Sequence, residues 1–312
     1  MIGMKRIAII GSGPAGLMAA QAALEQGAQV SIYEAMPSAA RKFLMAGKSG
    51  LNISHSEDID QLLGRYDAPD GRLKAMISAF NASDVRDWMD ALDEPSFVGS
   101  SGRIFPVAMK ASPLLRKWLR KLAEQGAELH TRYRWTGWTP EGLLTFSTQN
   151  GVVEVESDAT ILALGGKSWS RLGSDGLWAD ILSERGVSID PFEPSNCGME
   201  VGWSDRLLSQ NEGAPVKSIA LKVGGKGSRG DIVITRQGIE SGALYPVAAD
   251  VRKELSSNGS ATLLIDLVPD VKTDALAKRL ASANRKESMS NRLRKAARLD
   301  KVKVAQVNEV TR

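Results

Sequence analysis

Cysteine and histidine are scarce in this sequence of 312 residues, which contains one cysteine, Cys197, and two histidines, His55 and His130. A single cysteine excludes an internal disulfide framework and any cysteine-rich zinc module. Two histidines far apart in the chain argue against a histidine-based metal site, so we predict no metal centre. Long hydrophobic runs are also lacking, because none approaches the ~18–20 residues that span a membrane.

The first residues do not have the pattern of a signal peptide. Their apolar stretch, residues 7–10, is short and is followed by glycines. Together with the single cysteine, this pattern favours a cytoplasmic protein. The composition is 43% hydrophobic and 24% charged, which is typical of a globular chain and excludes global disorder. A chain of this length usually forms more than one domain.

The net charge of +4 has an uneven distribution. Residues 272–312 contain 12 basic and 4 acidic residues, so the rest of the chain is mildly acidic. A basic segment can contact the phosphates of a nucleic acid. This one has no aromatic residue for base stacking, and charged helical faces are usually solvated. We therefore expect no nucleic-acid partner.

The N-terminal residues have the order strand, glycine-rich turn, helix, strand and acid. Residues 5–10 form a short apolar run, as in a strand that is buried on both faces of a parallel sheet. The turn Gly-Ser-Gly-Pro-Ala-Gly follows at residues 11–16, and residues 17–26 are rich in helix formers. A second strand, residues 28–33, leads to Glu34. This order predicts a dinucleotide-binding βαβ unit.

The residues of this fingerprint each have a physical role. Gly11 permits the tight turn, Gly13 lets the backbone approach a pyrophosphate, and Gly16 allows close packing of helix on strand. Pro14 begins a helix whose free N–H groups and partial positive charge favour phosphate. Glu34 is placed to accept hydrogen bonds from ribose hydroxyls, and its charge disfavours a 2′-phosphate.

The segment after Glu34 favours FAD over NAD as the dinucleotide. An NAD-dependent dehydrogenase usually continues into regular βα units, whereas residues 35–56 have the composition of a long polar loop. Loops of this length in a compact domain are usually functional or disordered. Arg41, Lys42 and Lys48 provide cations for the phosphates, and the lysines are also candidates for raising the electron affinity of a flavin. The alternative interpretation is that they are exposed cations on a loop.

Three further segments accompany the fingerprint. Residues 41–52 read Arg-Lys-Phe-Leu-Met-Ala-Gly-Lys-Ser-Gly-Leu-Asn, residues 102–106 read Gly-Arg-Ile-Phe-Pro, and residues 159–168 read Ala-Thr-Ile-Leu-Ala-Leu-Gly-Gly-Lys-Ser. In this order they resemble the BaiN/RdsA-type (YhiN-like) NAD(P)/FAD-dependent flavoprotein family. Leu164 stands where flavoproteins often have threonine.

The resemblance implies an FAD-dependent oxidoreductase that transfers two electrons, as a hydride, to or from a small organic substrate, with NAD(P)H as a candidate donor. It implies an α/β fold, with a Rossmann-like FAD-binding domain at residues 1–190, an inserted β-rich domain at 191–270 and a small basic helical segment at 271–312. The chain around Trp135 is expected to touch the adenine through backbone groups, while plain packing is the alternative for its ring. The candidate cofactor-binding residues are Gly11, Gly13, Pro14, Ala15, Gly16, Glu34, Ala35, Arg41, Lys42, Gly47, Lys48, Leu51, Asn52, Trp135, Ala163, Gly165 and Gly166.

The sequence also leaves alternatives open. Family members contain a Gly-Gly-Tyr-Asn stretch near the C-terminus that closes over the flavin, and this sequence has none, so we expect a truncated final segment. The fingerprint and the basic segment also fit a tRNA-modifying flavoprotein, and the missing stretch fits an FAD-binding chain without catalysis, so both are competing hypotheses. No catalytic residue is identified. His55 is a candidate for proton transfer, and Arg103 and Lys110 are candidates for binding an anionic substrate, although a structural role fits each of them as well.

Overall fold

The computed structural model describes residues 4–47, 50–66 and 71–311, which form two compact units, Met1–Phe192 and Glu193–Arg312. Among these described residues, no helix is both long enough and apolar enough to cross a membrane. Each unit has its own sheet or sheets and its own hydrophobic cores.

The described residues of the first unit form ten strands and seven α-helices. In chain order they are β1 (Arg6–Ile10), α1 (Pro14–Glu25), β2 (Gln29–Glu34), α2 (Arg41–Ala46), β3 (Ser54–His55), α3 (Ile59–Leu63), α4 (Arg72–Ala79), α5 (Ala82–Asp90), β4 (Ser96–Val98), β5 (Arg103–Pro106), α6 (Ala111–Glu124), β6 (Glu128–Thr131), β7 (Arg134–Trp138), β8 (Leu144–Thr148), β9 (Gly151–Val155), β10 (Ala159–Leu162) and α7 (Trp178–Glu184).

The central sheet of this unit is parallel, with the strand order β10-β1-β2-β6. Ile9 of β1 lies opposite Ile161 of β10 on one side and Ile32 of β2 on the other. Parallel pairing brings the carboxyl ends of these strands to one edge, where open α/β sheets bind their ligands. The predicted Rossmann-like α/β fold is confirmed.

Both faces of the parallel sheet are covered, which explains why β1 is apolar from Ile7 to Ile10, after the exposed Arg6 at its start. Ile9 and Ile32 belong to a core with helices α1, α5 and α6, which contribute Leu17, Met89 and Trp118. Alternate residues of the same strands point into a second core on the opposite face, with Phe146 and Trp135 from the β7-β8-β9 sheet. The sheet therefore holds the turn after β1 between two packed layers.

The β3-β5-β4 sheet corrects one expectation, because residues 35–56 are not a continuous loop. They contain the helix α2 and the short strand β3. Ile53 donates its N–H to the carbonyl of Ile104 at 2.9 Å, and β3 pairs antiparallel with β5. The partner strand supplies pairing groups that the local sequence does not reveal, and this explains why composition alone indicated a loop.

In the second unit, residues 193–311 form a five-stranded antiparallel sheet in the order β11-β14-β13-β12-β15 and five α-helices. In chain order they are β11 (Met199–Glu200), α8 (Asp205–Asn211), β12 (Pro215–Val223), β13 (Lys226–Thr235), β14 (Gly238–Glu240), α9 (Ala248–Asn258), β15 (Leu264–Asp266), α10 (Thr273–Ser282), α11 (Met289–Ala296) and α12 (Lys301–Val310).

The basic segment of the second unit folds into helices with a small core of their own. Leu293 and Val304 are buried there, with Leu276 and Leu280 of α10 packed against them. Several of its cations make local bonds: for example, Lys295 pairs with Glu287 at 2.7 Å. The charged side chains of this segment therefore lie mainly on the exposed faces of packed helices.

Candidate functional site

The turn between β1 and α1 is built by two glycines that the fold itself requires. Gly11 has a φ of +103°, and a Cβ there would lie 2.4 Å from the carbonyl oxygen of Ala163. A Cβ on Gly16 would lie 1.9 Å from the carbonyl oxygen of Gly11. Neither position has room for a side chain, because Gly11 packs on the chain that leaves β10 and Gly16 packs on the backbone of the turn itself.

Gly13 differs from these two glycines, because a Cβ there would meet no atom within 4 Å. Its φ of −71° and ψ of 177° are also available to other residues. Nothing in the described protein therefore demands glycine at this position. Open space beside the backbone at the start of a helix is the feature that a pyrophosphate needs for close approach.

The first turn of α1 presents its N–H groups to that open space. Gly13 is the N-cap and makes no side-chain capping bond, while Pro14 occupies the first helical turn. Pro14 and Ala15 are exposed. An uncapped helix start carries unsatisfied donors and a partial positive charge, and both favour an anion.

Glu34 lies at the end of β2 and is held by the turn. Its Oε2 accepts hydrogen bonds from the Ser12 N–H at 3.1 Å and the Ser12 hydroxyl at 2.5 Å, and its Oε1 accepts from the Met36 N–H at 2.8 Å. A carboxylate offers about four acceptor sites, so these three bonds orient Glu34 and leave capacity for a further donor. Ala35, which lies between Glu34 and Met36, is in a bend.

The two cations of α2 have different environments. Lys42 donates from Nζ to the Ser168 hydroxyl at 2.6 Å, which joins α2 to the chain after β10. Arg41 donates from Nη1 to the Ser38 hydroxyl at 3.3 Å, while its Nε is buried and has no hydrogen-bond partner among the described residues. A buried donor without a partner is unfavourable, and it marks a place where a ligand oxygen would be stabilised.

The remaining candidate residues of segment 41–52 lie in different environments. A Cβ on Gly47 would lie 2.6 Å from the Cβ of Ala111, so this glycine serves the packing of α2 on α6. Leu51 is buried, and its N–H is already bonded to the carbonyl of Met109 at 3.1 Å. Asn52 is exposed. Lys48 lies outside the described residues.

The chain that follows β10 returns to the glycine turn. Ala163 donates its N–H to the carbonyl of Ile10 at 2.8 Å. The two glycine carbonyls beyond it are held by side chains, because the Trp178 indole donates to Gly165 at 3.1 Å and the Ser174 hydroxyl donates to Gly166 at 2.9 Å. With their carbonyls held in this way, the backbone of this segment is fixed beside the turn.

Trp135 is a core residue of β7. It is 6% exposed and stacks edge-on against Trp138, with the ring centroids 4.8 Å apart. The chain just before it passes Glu34, because the Tyr133 N–H donates to the Glu34 carbonyl at 2.9 Å. The ring therefore packs, while the neighbouring backbone runs alongside the predicted ribose position.

The structure thus brings together residues 11–16, Glu34 and residues 163–166 at the carboxyl edge of the parallel sheet, with Lys42 tied to them through Ser168. Gly47 and Leu51 are engaged by α6 and its preceding turn instead. Sequence reasoning missed three positioning residues: Ser12, Ser168 and Ser174. Ser12 and Ser168 lie inside recognised motifs, but a serine by itself carries no signal of which distant group it will bond.

His55 does not have the geometry of a free proton donor. Its Nε2 lies 3.1 Å from the carbonyl oxygen of Ser101, and its Nδ1 accepts the N–H of Glu57 at 3.1 Å. The Glu57 side chain is 6% exposed and is bonded by both Nε and Nη2 of Arg65. Both ring nitrogens are therefore occupied, which favours the structural role for His55.

Comparison with known proteins gives relatives of both sequence and fold. The chain is 24% identical over 286 residues to the 3-dehydro-bile acid delta(4,6)-reductase of Clostridium scindens, which covers 88% of this chain and 67% of the reductase. The similar solved structures include Thermovibrio ammonificans THI4 (TM-score 0.39, 14% identity, covering 59% of this chain and 64% of that one). They also include CabE, an aromatic hydroxylase from angucycline biosynthesis (TM-score 0.39, 14% identity, covering 85% and 52%). Both scores are below 0.5, so we draw nothing further from them.

The family comparison agrees with the resemblance that the sequence motifs carry. The model of the HI0933-like protein Rossmann domain matches residues 5–290, which is most of the chain. The match contains the glycine turn, Glu34, the residues after β10 and the antiparallel sheet of the second unit. The chain therefore belongs to the HI0933-like protein Rossmann domain family.

Proposed function

We propose that this chain binds FAD at the carboxyl edge of its parallel sheet and acts as an oxidoreductase on a small organic substrate. The observation that carries the proposal is the open space at Gly13, directly beside an uncapped helix start. Gly11 and Gly16 are explained by packing, whereas Gly13 is explained by a ligand. Family membership and a curated relative that is a reductase by name support the same class of activity.

The residues present fit an FAD molecule. The N–H groups at the start of α1 would receive its pyrophosphate, and Glu34, which keeps an acceptor site, would receive a ribose hydroxyl. The unpaired Nε of Arg41 and the ammonium of Lys42 would face anionic oxygens. The backbone beside Ala163, Gly165 and Gly166 would run along the rest of the cofactor.

Bound FAD supplies a two-electron acceptor and donor of hydride, and the protein supplies position and electrostatics. Lys42 is held by Ser168, so its positive charge has a fixed place rather than a freely moving one. A fixed cation beside a flavin stabilises added negative charge and thereby favours the reduced state. This supports the predicted effect of Lys42 on electron affinity.

The donor and the substrate are finer parts of the proposal. We propose NAD(P)H as the donor, in keeping with the resemblance, and an unsaturated ketone as the substrate class, because the curated relative is named a 3-dehydro-bile acid delta(4,6)-reductase. The chain spans 67% of the length of that relative. The cytoplasmic location stays a prediction. The expectation that the protein has no nucleic-acid partner also stays a prediction.

The visible absorbance of the purified protein, before and after addition of FAD, tests the proposal. We expect a flavin spectrum that survives gel filtration and is bleached by NADH or NADPH in the absence of oxygen. A flavin that binds but is reduced by neither nucleotide would contradict the proposed donor alone. The absence of flavin binding would contradict the proposed function, and retention of the protein on tRNA at moderate salt would favour the nucleic-acid alternative.

A further inference from the structure

The segment between β10 and α7 is fixed on two sides. The Trp178 indole donates to the Gly165 carbonyl at one end, and the Lys42 ammonium donates to the Ser168 hydroxyl from across the sheet edge. Trp169 follows Ser168 directly and begins a short 3₁₀ helix. The chain directly before Trp169 is thus anchored at Gly165 and at Ser168.

Trp169 has an unusual combination of backbone and side-chain properties. Its φ of +67° and ψ of 55° lie in the left-handed region, which is unfavourable for a bulky residue. Its side chain nevertheless belongs to none of the hydrophobic cores of the described residues, and the residue is 60% exposed. The cost of the backbone conformation is therefore not offset by packing within the described protein.

The position of Trp169 is next to the proposed cofactor site. Ser168 on one side of it contacts Lys42, and Gly173 on the other side packs on the Met36 side chain, just beyond Glu34. A Cβ on Gly173 would lie 2.7 Å from the Cγ of Met36. Trp169, with its left-handed backbone and exposed side chain, therefore lies in a loop that contacts two parts of the carboxyl edge of the sheet.

We infer that the Trp169 indole is a stacking surface for the substrate of the proposed flavoenzyme, and that it selects flat, conjugated ring compounds. The inference rests on the proposed function. An indole offers a large apolar face that pairs with another ring in an offset or edge-on arrangement. A strained backbone that holds such a ring outward is the arrangement expected of a ligand contact. Quinones and conjugated cyclic ketones are among the compounds that accept a hydride equivalent.

Menadione is a suitable probe, because it is a flat bicyclic quinone that accepts two electrons. The full chain is loaded with FAD, photoreduced without oxygen and mixed with menadione, and the return of the flavin absorbance is followed at several quinone concentrations. In this balanced exchange FADH2 gives up two electrons and two protons, and menadione takes up both to become menadiol. The dependence on concentration gives the dissociation constant for menadione, and ferricyanide provides an acceptor that cannot stack.

Three variants separate the effect of the Trp169 ring from a general effect on the protein. We expect Trp169→Ala to weaken menadione binding roughly three- to tenfold. The same variant should leave FAD affinity and the ferricyanide rate unchanged. Trp169→Phe should restore most of the lost menadione affinity. Leu177→Ala is the matched control, because Leu177 is 59% exposed and lies at the start of the next helix. Equal menadione constants in the wild type and Trp169→Ala would overturn the inference while the proposed function stands. Failure of the wild type to bind FAD would instead contradict the proposed function.

Discussion

The Glu34 carboxylate is bonded twice by Ser12, once by its N–H at 3.1 Å and once by its hydroxyl at 2.5 Å. Ser12 has no exposed surface and lies between the first two glycines of the turn. The glycine turn and the acidic residue are therefore not independent parts of the site. The residue between the glycines sets the orientation of the carboxylate at the end of β2.

Removal of the Ser12 hydroxyl tests this relationship. Ser12→Ala takes away one bond to a charged acceptor, and we expect the free energy of unfolding to fall by about 1–2 kcal/mol. FAD affinity should fall as well, because the carboxylate loses its orientation. Urea denaturation and FAD titration measure the two effects. Ser83→Ala, a substitution on the exposed side of α5, serves as the control and should leave both quantities unchanged.

The contact between Lys42 and Ser168 gives a second prediction. Lys42→Ala should weaken FAD binding about two- to fivefold, since an exposed charge contributes roughly 0.2–1 kcal/mol. The effect should shrink as salt is added. Ser168→Ala keeps the charge but frees it, so a smaller loss is expected. FAD titrations at low and high salt provide the comparison, with Lys74→Ala as a control, and an effect of Lys42→Ala that does not depend on salt would argue against an electrostatic role.

Acid stability gives a third prediction, at Glu57. Hydrogen bonds from the Arg65 guanidinium lower the pKa of Glu57 below its ordinary value, while burial opposes the shift. The folded protein then binds fewer protons at this carboxyl than the unfolded chain does. The stabilisation is present above about pH 4.3, the ordinary value for glutamate, and it is lost as the pH falls through the lowered pKa.

Glu57→Gln should therefore flatten the decline of stability below that pH and lower stability at neutral pH. Thermal unfolding at a series of pH values measures both effects. Glu141→Gln, in an exposed turn, is the control. If the thermal stability of Glu57→Gln declined at low pH in the same way as that of the wild type, the proposed role of the pair with Arg65 would be contradicted.

The residues of the glycine turn show what sequence can and cannot predict. The order of β1, α1 and β2 follows from periodicity and propensity, which act locally, so the elements were predicted with boundaries close to those of the structure. The other residues of the site are brought together by contacts between positions that are far apart in the sequence. Ser168 meets Lys42 across 126 positions, and no local pattern indicates such a contact.

The segment after Glu34 is instructive for the same reason. Its polar composition predicted a loop, but β5 supplies hydrogen bonds to residues 53–55, and α6 packs on Gly47. Gly47 looked like a residue that borders a ligand, and its place in the structure is explained by Ala111 instead. A glycine thus has the same signature in sequence whether a ligand or another helix approaches it.

Gly13→Ala, compared with Gly16→Ala, tests most directly the claim that the turn carries the pyrophosphate of FAD. Gly16→Ala should destabilise the fold by about 3 kcal/mol or more, because its Cβ meets the Gly11 carbonyl. Gly13→Ala should keep stability within about 1 kcal/mol of the wild type. Its FAD dissociation constant, measured by titration, should nevertheless rise at least tenfold, which is about 1.4 kcal/mol. A Gly13→Ala protein that binds FAD as tightly as the wild type would contradict the claim.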